Sequence, residues 1–356
     1  MATSITMFSA FLILLSITCI NGFSGDAVNP PAFVVNLDLP EEQRWTEVAL
    51  KYKQLVPDIY AIMKQFLPDP TISLPLIRKI AADIDKYLAK PYAGEMRGIA
   101  KTLNMSLGDV VTCNLLYDIS AFCTSIVMQD ANGIIWHARN LDYSFTEILR
   151  NISIRVDYQK GGKTVYTGIT YAGYVGLVTG QRPNAFTMTM DERDQGAWWM
   201  NILIAILDRN ASPVSFLLRD VSSLPMSENF TSAVEKVAYT TTAASFYTIM
   251  GGVRVGEGAV ITKGRVGPID IWKLDAKSGR WYEVETNYDH WAPPPAGDDR
   301  RDPAIKAMNS MGQKSISKKS LFSVMSTPPV MNNKTTYTVV MSAAQPDIME
   351  AWIRNP

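Results

Sequence analysis

The stretch Cys123-Thr-Ser-Ile-Val-Met-Gln-Asp-Ala-Asn-Gly-Ile-Ile-Trp-His-Ala-Arg-Asn-Leu-Asp-Tyr143 decides how the chain is read. Two β-rich runs, Thr124 to Gln129 and Ile134 to Ala138, flank the turn residues Asp130-Ala131-Asn132-Gly133, which predicts a hairpin starting at Cys123. Upstream the texture differs. From Pro40 to about Thr112 apolar residues recur every three or four positions, as in Trp45, Val48, Ala49 and Tyr52 and again in Ile59, Ile62, Met63 and Phe66, so helices with one buried face are expected. Ser106 is placed to cap a helix running on towards Leu116. Downstream, Ile152 to Gln159 and Thr164 to Tyr171 flank Gly161-Gly162 as a second hairpin. Helical spacing returns from Trp198 to Tyr239. Further strands are expected at Phe246 to Met250, Gly258 to Thr262, Ile269 to Leu274 and Trp281 to Glu285, then helices at Ala304 to Met311 and Lys318 to Met325, and a last strand at Thr335 to Met341. This order predicts an α+β domain in which helices cover antiparallel sheets, with Cys123 at the boundary between helical and β-rich parts.

The 356 residues are 47% hydrophobic and 19% charged, enough apolar material for one large core or two smaller ones. Lys plus Arg balance Asp plus Glu, so no basic field attracts phosphate backbones and nucleic acid is not an expected partner. An apolar run from Met7 to Ile20, followed by Asn21, Gly22 and Ser24, is too short and too early for a membrane span and reads as a signal peptide over residues 1–22. No basic residue precedes the run, which leaves a buried first helix as the alternative. Five Asn-x-Ser/Thr sequons, at Asn104, Asn151, Asn210, Asn229 and Asn333, suit a glycoprotein of the secretory pathway. Once Cys19 leaves with the signal, Cys113 and Cys123 are too few for a disulfide framework, so stability must come from the core.

Only His137 and His290 are available as the base of a Cys–His or Ser–His system. His137 falls in the second strand of the first hairpin and His290 between Asp289 and Trp291, and both read first as structural residues. The chain has no His-Glu-x-x-His and no paired Cys-x-x-Cys, and Met250-Gly-Gly-Val-Arg254 is a turn between strands, so neither metal nor cofactor is expected. A cysteine can dispense with histidine if the peptide bond before it is cut, because the freed α-amine then lies beside the thiol and takes its proton. Cys123 is placed for that, with cleavage between Phe122 and Cys123; a buried inert cysteine at a strand start is the competing reading.

Cys123-Thr-Ser-Ile-Val-Met-Gln-Asp130, followed by His137-Ala-Arg-Asn-Leu-Asp-Tyr143, resembles the acid amidase and acid ceramidase branch of the N-terminal-nucleophile hydrolases. So do Thr170 to Gly180, Asp191-Glu-Arg-Asp-Gln-Gly-Ala-Trp-Trp199, Glu285-Thr-Asn-Tyr-Asp-His-Trp291, Asp298-Asp-Arg-Arg301 and Ile353-Arg-Asn-Pro356, so the likeness covers nearly the whole chain after the signal. The resemblance implies a layered αββα fold with an N-terminal helical lobe. It also implies a precursor that cuts itself into an α chain, residues 23–122, and a β chain, residues 123–356, which stay associated. Cys123 would be the nucleophile in a pocket shared with Arg139, Asp142, Glu192 and Asn287, with Arg300 close behind. There the Asn287 amide would donate to an oxyanion and Asp142 would hold the new ammonium. Arg139 would fix Asp142 or favour the thiolate, and Glu192 would be a second acceptor at the amine.

The same resemblance implies a lysosomal enzyme that hydrolyses fatty-acid ethanolamides to fatty acid and ethanolamine through a thioester. Such a substrate enters from a membrane or micelle. Ile59 to Leu67, and Trp198-Trp199-Met200 with Ile202 to Leu207, are the apolar stretches suited to that contact, and ordinary core helices would look the same. Ceramide hydrolysis by the same chemistry is the nearest rival, and a non-catalytic lipid-binding glycoprotein is the rival of another class. Acid ceramidases join their two chains by a disulfide, whereas here no cysteine but the nucleophile follows the cut.

Overall fold

In the computed structural model, which describes residues 27–66, 75, 90–116, 121–193, 208, 210–225 and 228–355, the first hairpin forms as its turn chemistry dictates. Asp130 Oδ1 accepts the backbone N–H groups of Asn132 and Ile134, each at 2.9 Å, and Gly133 turns the chain with φ +87°, a conformation that suits glycine. The two strands, β3 (Ala121–Gln129) and β4 (Ile135–Tyr143), pair from Ala121 opposite Tyr143, so the hairpin starts two residues earlier than expected and Cys123 is its third residue. In the second hairpin, β5 (Ser153–Lys160) and β6 (Lys163–Tyr171), Gly161 and Gly162 both have positive φ, as a tight two-residue turn between twisted strands requires.

These hairpins seed two sheets. The six-stranded sheet has the order β1 (Ala27–Val28), β14 (Met349–Arg354), β13 (Thr335–Met341), β4, β3, β12 (Tyr282–Glu285). The eight-stranded sheet has the order β11 (Pro268–Lys273), β10 (Gly258–Lys263), β9 (Phe246–Gly251), β8 (Phe186–Glu192), β7 (Thr179–Arg182), β6, β5, β2 (Ala32–Asn36). Strand alternation then sorts the side chains. Ile126, Met128, Trp136 and Ala138 pack outward against helices Arg301–Met311 and Lys318–Met325. Cys123, Ser125, His137 and Arg139 point the other way, towards β7 and β8. Helices Val214–Ser222 and Phe230–Tyr239 cover the far face of the eight-stranded sheet, as do Thr46–Tyr52, Tyr92–Leu103 and Leu107–Leu116, which completes the expected order of helix, sheet, sheet, helix.

Ser106 caps its helix as expected, its Oγ accepting the Asp109 N–H at 3.1 Å. The residues before Cys123 are more than a helical lobe. β2 adds a parallel edge to β5 over five residues, and β1 pairs with β14, so this part of the chain is built into both sheets. A buried ion pair crosses the same boundary: Glu95 meets Arg219 at 2.8 Å, while the rings of Tyr92 and Phe216 stack at 4.0 Å. All five sequon asparagines are exposed. The signal segment, Leu67, Trp198-Trp199-Met200 and Ile202 to Leu207 lie outside the described residues. Among the described residues no helix is long and apolar enough to cross a membrane.

Candidate active site

The β3–β4 hairpin buries the Cys123 thiol completely and sets Arg139 beside it, Nη2 lying 2.9 Å from Sγ. The guanidinium is held from the opposite sheet. It donates to the Met190 carbonyl at 2.8 Å, to the Val178 carbonyl and to Thr179 Oγ1, and lies 3.9 Å from Asp191 Oδ1. A cation so tightly enclosed has no rotamer freedom left, so its charge is fixed at the sulfur.

The backbone of Cys123 is gripped from its other side. Its N–H donates to Asn287 Oδ1 at 2.7 Å, while Arg300 donates to Asn287 Oδ1 at 2.9 Å and to the Cys123 carbonyl at 2.5 Å. Arg300 is itself held by Asp298 through two bonds of 2.6 and 2.8 Å. Phe122 is 39% exposed, its ring lying under Arg300 and Lys334 with the cations 5.8 and 5.0 Å from its centre. It borders a cavity of about 270 Å³ that Asp142, Asp298, Arg300 and Asn332 also line. The Phe122–Cys123 bond therefore passes from an open cavity to a sealed interior.

Arg139, Asn287 and Arg300 thus all contact Cys123, Arg139 at its sulfur and the other two at its backbone. Asp142 is not beside the thiol: it sits opposite Phe122 in the hairpin, accepts from Asn332 Nδ2 at 2.9 Å, and approaches the cleft through Arg300 at 3.9 Å. Arg139 and Asp142, three positions apart on one strand, face opposite ways, and the hydrogen bonds of Arg139 go to other residues. Glu192 takes part through its backbone carbonyl, which accepts from Asn287 Nδ2 at 2.8 Å. In the intact chain that bond occupies the amide group expected to serve an oxyanion, while Oδ1 serves the Cys123 nitrogen. His137 engages Thr187 and Thr189, each at 3.1 Å, and burial lowers its pKa to about 3. His290 stacks on Trp272 with centroids 4.2 Å apart. Among the described residues no group of three or more His, Cys, Asp or Glu side chains is arranged to hold a metal ion.

Sequence reasoning passed over Asp191, Ser125 and Asn332. The run Phe186-Thr-Met-Thr-Met-Asp-Glu192 alternates apolar and polar residues, and that alternation was the available sign that Asp191, not Glu192, shares a face with Thr187 and Thr189. Ser125 donates to Asp191 Oδ1 at 2.8 Å.

Burial governs the charges here. It drives the Cys123 thiol well up, with Arg139 pulling down and Asp191 pushing further up. It also raises Asp191 to about 7, Glu283 to about 8, and Asp142 and Glu285 upward. A carboxyl whose folded pKa exceeds its unfolded one holds its proton more tightly when folded. Its stabilisation is full below the unfolded pKa and is lost as pH rises through the folded one. His137 acts oppositely, but only below its ordinary value of 6.5. Between pH 6.5 and 8 the carboxyls act without it, so calorimetry should show Tm falling by several degrees across that window; a rising Tm contradicts this assignment of buried acids.

Comparison with known proteins places the chain. Residues 123–312 match a family model described as linear amide C-N hydrolases, choloylglycine hydrolase family, and the match begins at Cys123 itself. Residues 28–88 match a model described as the beta subunit of N-acylethanolamine-hydrolyzing acid amidase, which gives the segment before Cys123 the opposite Greek letter from the one used above. The N-acylethanolamine-hydrolyzing acid amidase of Mus musculus is 48% identical over 330 residues, 92% of this chain and 90% of that one. Acid ceramidase of Homo sapiens is 34% identical over 344 residues, 91% and 86% of the two chains. A solved structure of the Caenorhabditis elegans ortholog of the amidase superposes with a TM-score of 0.60 at 38% identity, covering 65% of this chain and all of that one.

Proposed function

Because the chain belongs to the choloylglycine hydrolase family of linear amide C–N hydrolases and is an amidohydrolase nearer to the acid amidases than to acid ceramidase, we propose that it hydrolyses fatty-acid ethanolamides to fatty acid and ethanolamine. The observation that carries the chemistry is the Arg139 guanidinium at 2.9 Å from the Cys123 sulfur, with the Cys123 nitrogen on Asn287 Oδ1.

The chain first acts on itself. Cys123 Sγ attacks the carbonyl carbon of Phe122, the C–N bond to Cys123 breaks, and the thiol proton ends on the new amine; water then hydrolyses the thioester and releases the Phe122 carboxylate. Exposed Phe122 beside an open cavity supports a water-accessible bond, and residues 123–356 make up about 66% of the chain, close to the share that the solved relative spans. The two parts stay together through β2, β1 and the Glu95–Arg219 pair.

In the cut enzyme the α-amine of Cys123 takes the thiol proton. Sγ attacks the substrate carbonyl, ethanolamine leaves with the proton returned by the amine, and water opens the acyl thioester. Arg139 stabilises the thiolate, Asn287 Oδ1 orients the amine, and Arg300, steadied by Asp298 and Asp142, holds the Cys123 backbone in place. Glu192 contributes the carbonyl that locks Asn287.

The reading extends to a signal-bearing glycoprotein of the lysosome that meets its substrate at a membrane or micelle surface. The exposed sequon asparagines support glycan attachment, and the buried acids support an acidic compartment. Palmitoylethanolamide and a short-chain ceramide assayed side by side at acid pH test the substrate. Turnover of the ethanolamide should exceed that of the ceramide by at least about tenfold; the reverse order returns the chain to the ceramidase side.

A further inference from the structure

Arg139 has two anionic claimants. Its Nη2 lies 2.9 Å from Cys123 Sγ and 3.9 Å from Asp191 Oδ1, and all three side chains are fully buried. Asp191 arrives on β8, in the row Thr187, Thr189, Asp191 that faces the catalytic hairpin. Its Oδ1 accepts from Ser125, which in turn accepts from Thr189 Oγ1 at 2.9 Å, so the carboxyl is fixed; its Oδ2 is buried with no hydrogen-bond partner. A carboxylate with one oxygen unsatisfied in such a place is costly unless a cation compensates it or a proton neutralises it.

One guanidinium in a low-dielectric interior does not fully compensate two anions, because the anions also repel each other. The titratable groups around Asp191 sharpen that competition. Cys123 comes from β3, Arg139 from β4, Glu285 from β12 and Tyr337 from β13; Tyr247 lies opposite on β9, and Arg300 stands at the start of helix Arg301–Met311. Glu285 sits across from Ser125, buried, with Oε2 also lacking a hydrogen bond, and burial holds its proton in place, so it adds no compensating charge beside Asp191.

We propose that Asp191 is a positioning residue of the amidase reaction: ionised, it neutralises Arg139 and leaves Cys123 a thiol; protonated, it releases the guanidinium to stabilise the Cys123 thiolate. As pH falls Asp191 takes its proton from water, and the thiol then passes its own proton to the Cys123 α-amine as in the amidase cycle, with no bond to carbon made or broken. Burial keeps the Asp191 carboxyl at about 7, so the releasing form prevails in acid and gives way near neutrality. The proposal rests on Cys123 being the nucleophile. It does not depend on which amide is cut.

The test is the rate at which iodoacetamide alkylates Cys123 at pH 5 and at pH 8 in the wild-type chain, in Asp191→Asn and in Ser125→Ala. The gain in rate from pH 5 to pH 8 is taken within each protein, which cancels differences in access. Asp191→Asn keeps the shape and removes a charge that is about nine-tenths formed at pH 8, so its gain should be about tenfold larger than wild type, the equivalent of one pKa unit. Ser125→Ala removes the hydrogen bond that favours the carboxylate and should move the gain in the same direction. Equal gains in wild type and Asp191→Asn overturn the proposal; if Asp191→Asn does not accumulate as folded protein, equal gains in wild type and Ser125→Ala do so. Alkylation needs no substrate, so a chain that alkylates as expected yet spares ethanolamides defeats the proposed function and leaves this inference standing.

Discussion

A Cys123→Ala chain should stay in one piece and lose amide hydrolysis by on the order of 10⁴–10⁶-fold, the scale seen when a covalent nucleophile is removed. The neighbouring hydroxyls do not substitute for it. Ser125 is committed to Asp191 and Thr189, and β3 turns Thr124 to the opposite face of the sheet. The fold should survive, because the exchange removes a single sulfur atom from a packed position and leaves Arg139 a buried counter-ion in Asp191. Denaturing gel electrophoresis should show one band near 39.5 kDa less any processed leader, with no product from palmitoylethanolamide. Two fragments of normal size, or turnover within tenfold of wild type, contradict the proposed nucleophile.

Glu95→Ala should cost about 3–5 kcal/mol, the usual result of stripping one partner from a buried ion pair. Glu95 is fully buried on helix Tyr92–Leu103 and accepts from Arg219 through both oxygens, from Arg44 at 3.1 Å and from Trp45 Nε1 at 2.8 Å. Without it Arg219 keeps its contacts with the rings of Tyr92 and Tyr158, 5.3 and 4.9 Å away, but these do not neutralise a buried cation. Tm should fall by roughly 4–7 °C in a chain of this size. Since Glu95 precedes the proposed cut and Arg219 follows it, the two parts should also separate more readily on a sizing column after cleavage. An unchanged Tm together with an unchanged elution volume contradicts this role.

The first hairpin was legible because its turn is written in local chemistry: an Asp that caps two N–H groups and a glycine at positive φ need no knowledge of the rest of the fold. β2 was not, because Ala32-Phe-Val-Val-Asn36 acquires its meaning from a parallel partner more than a hundred residues away. β8 shows a different failure. Its alternation was plain, but a polar face is ordinarily read as a wet one, and here Thr187, Thr189 and Asp191 turn inward on His137, Ser125 and Arg139. The family resemblance named Arg139, Asp142, Glu192, Asn287 and Arg300 as one pocket. Strand pleating divides that set, placing Arg139 on the thiol side and Asp142 on the Phe122 side, and only the loop from Thr286 to Arg300 brings Asn287 and Arg300 back to the Cys123 backbone.

N-terminal sequencing of the larger fragment, after the purified chain is held at acid pH, tests the whole account most directly. The expected reading begins Cys-Thr-Ser-Ile-Val-Met, residues 123–128. A larger fragment that starts at any other residue, or a fully active chain that remains uncut, contradicts it.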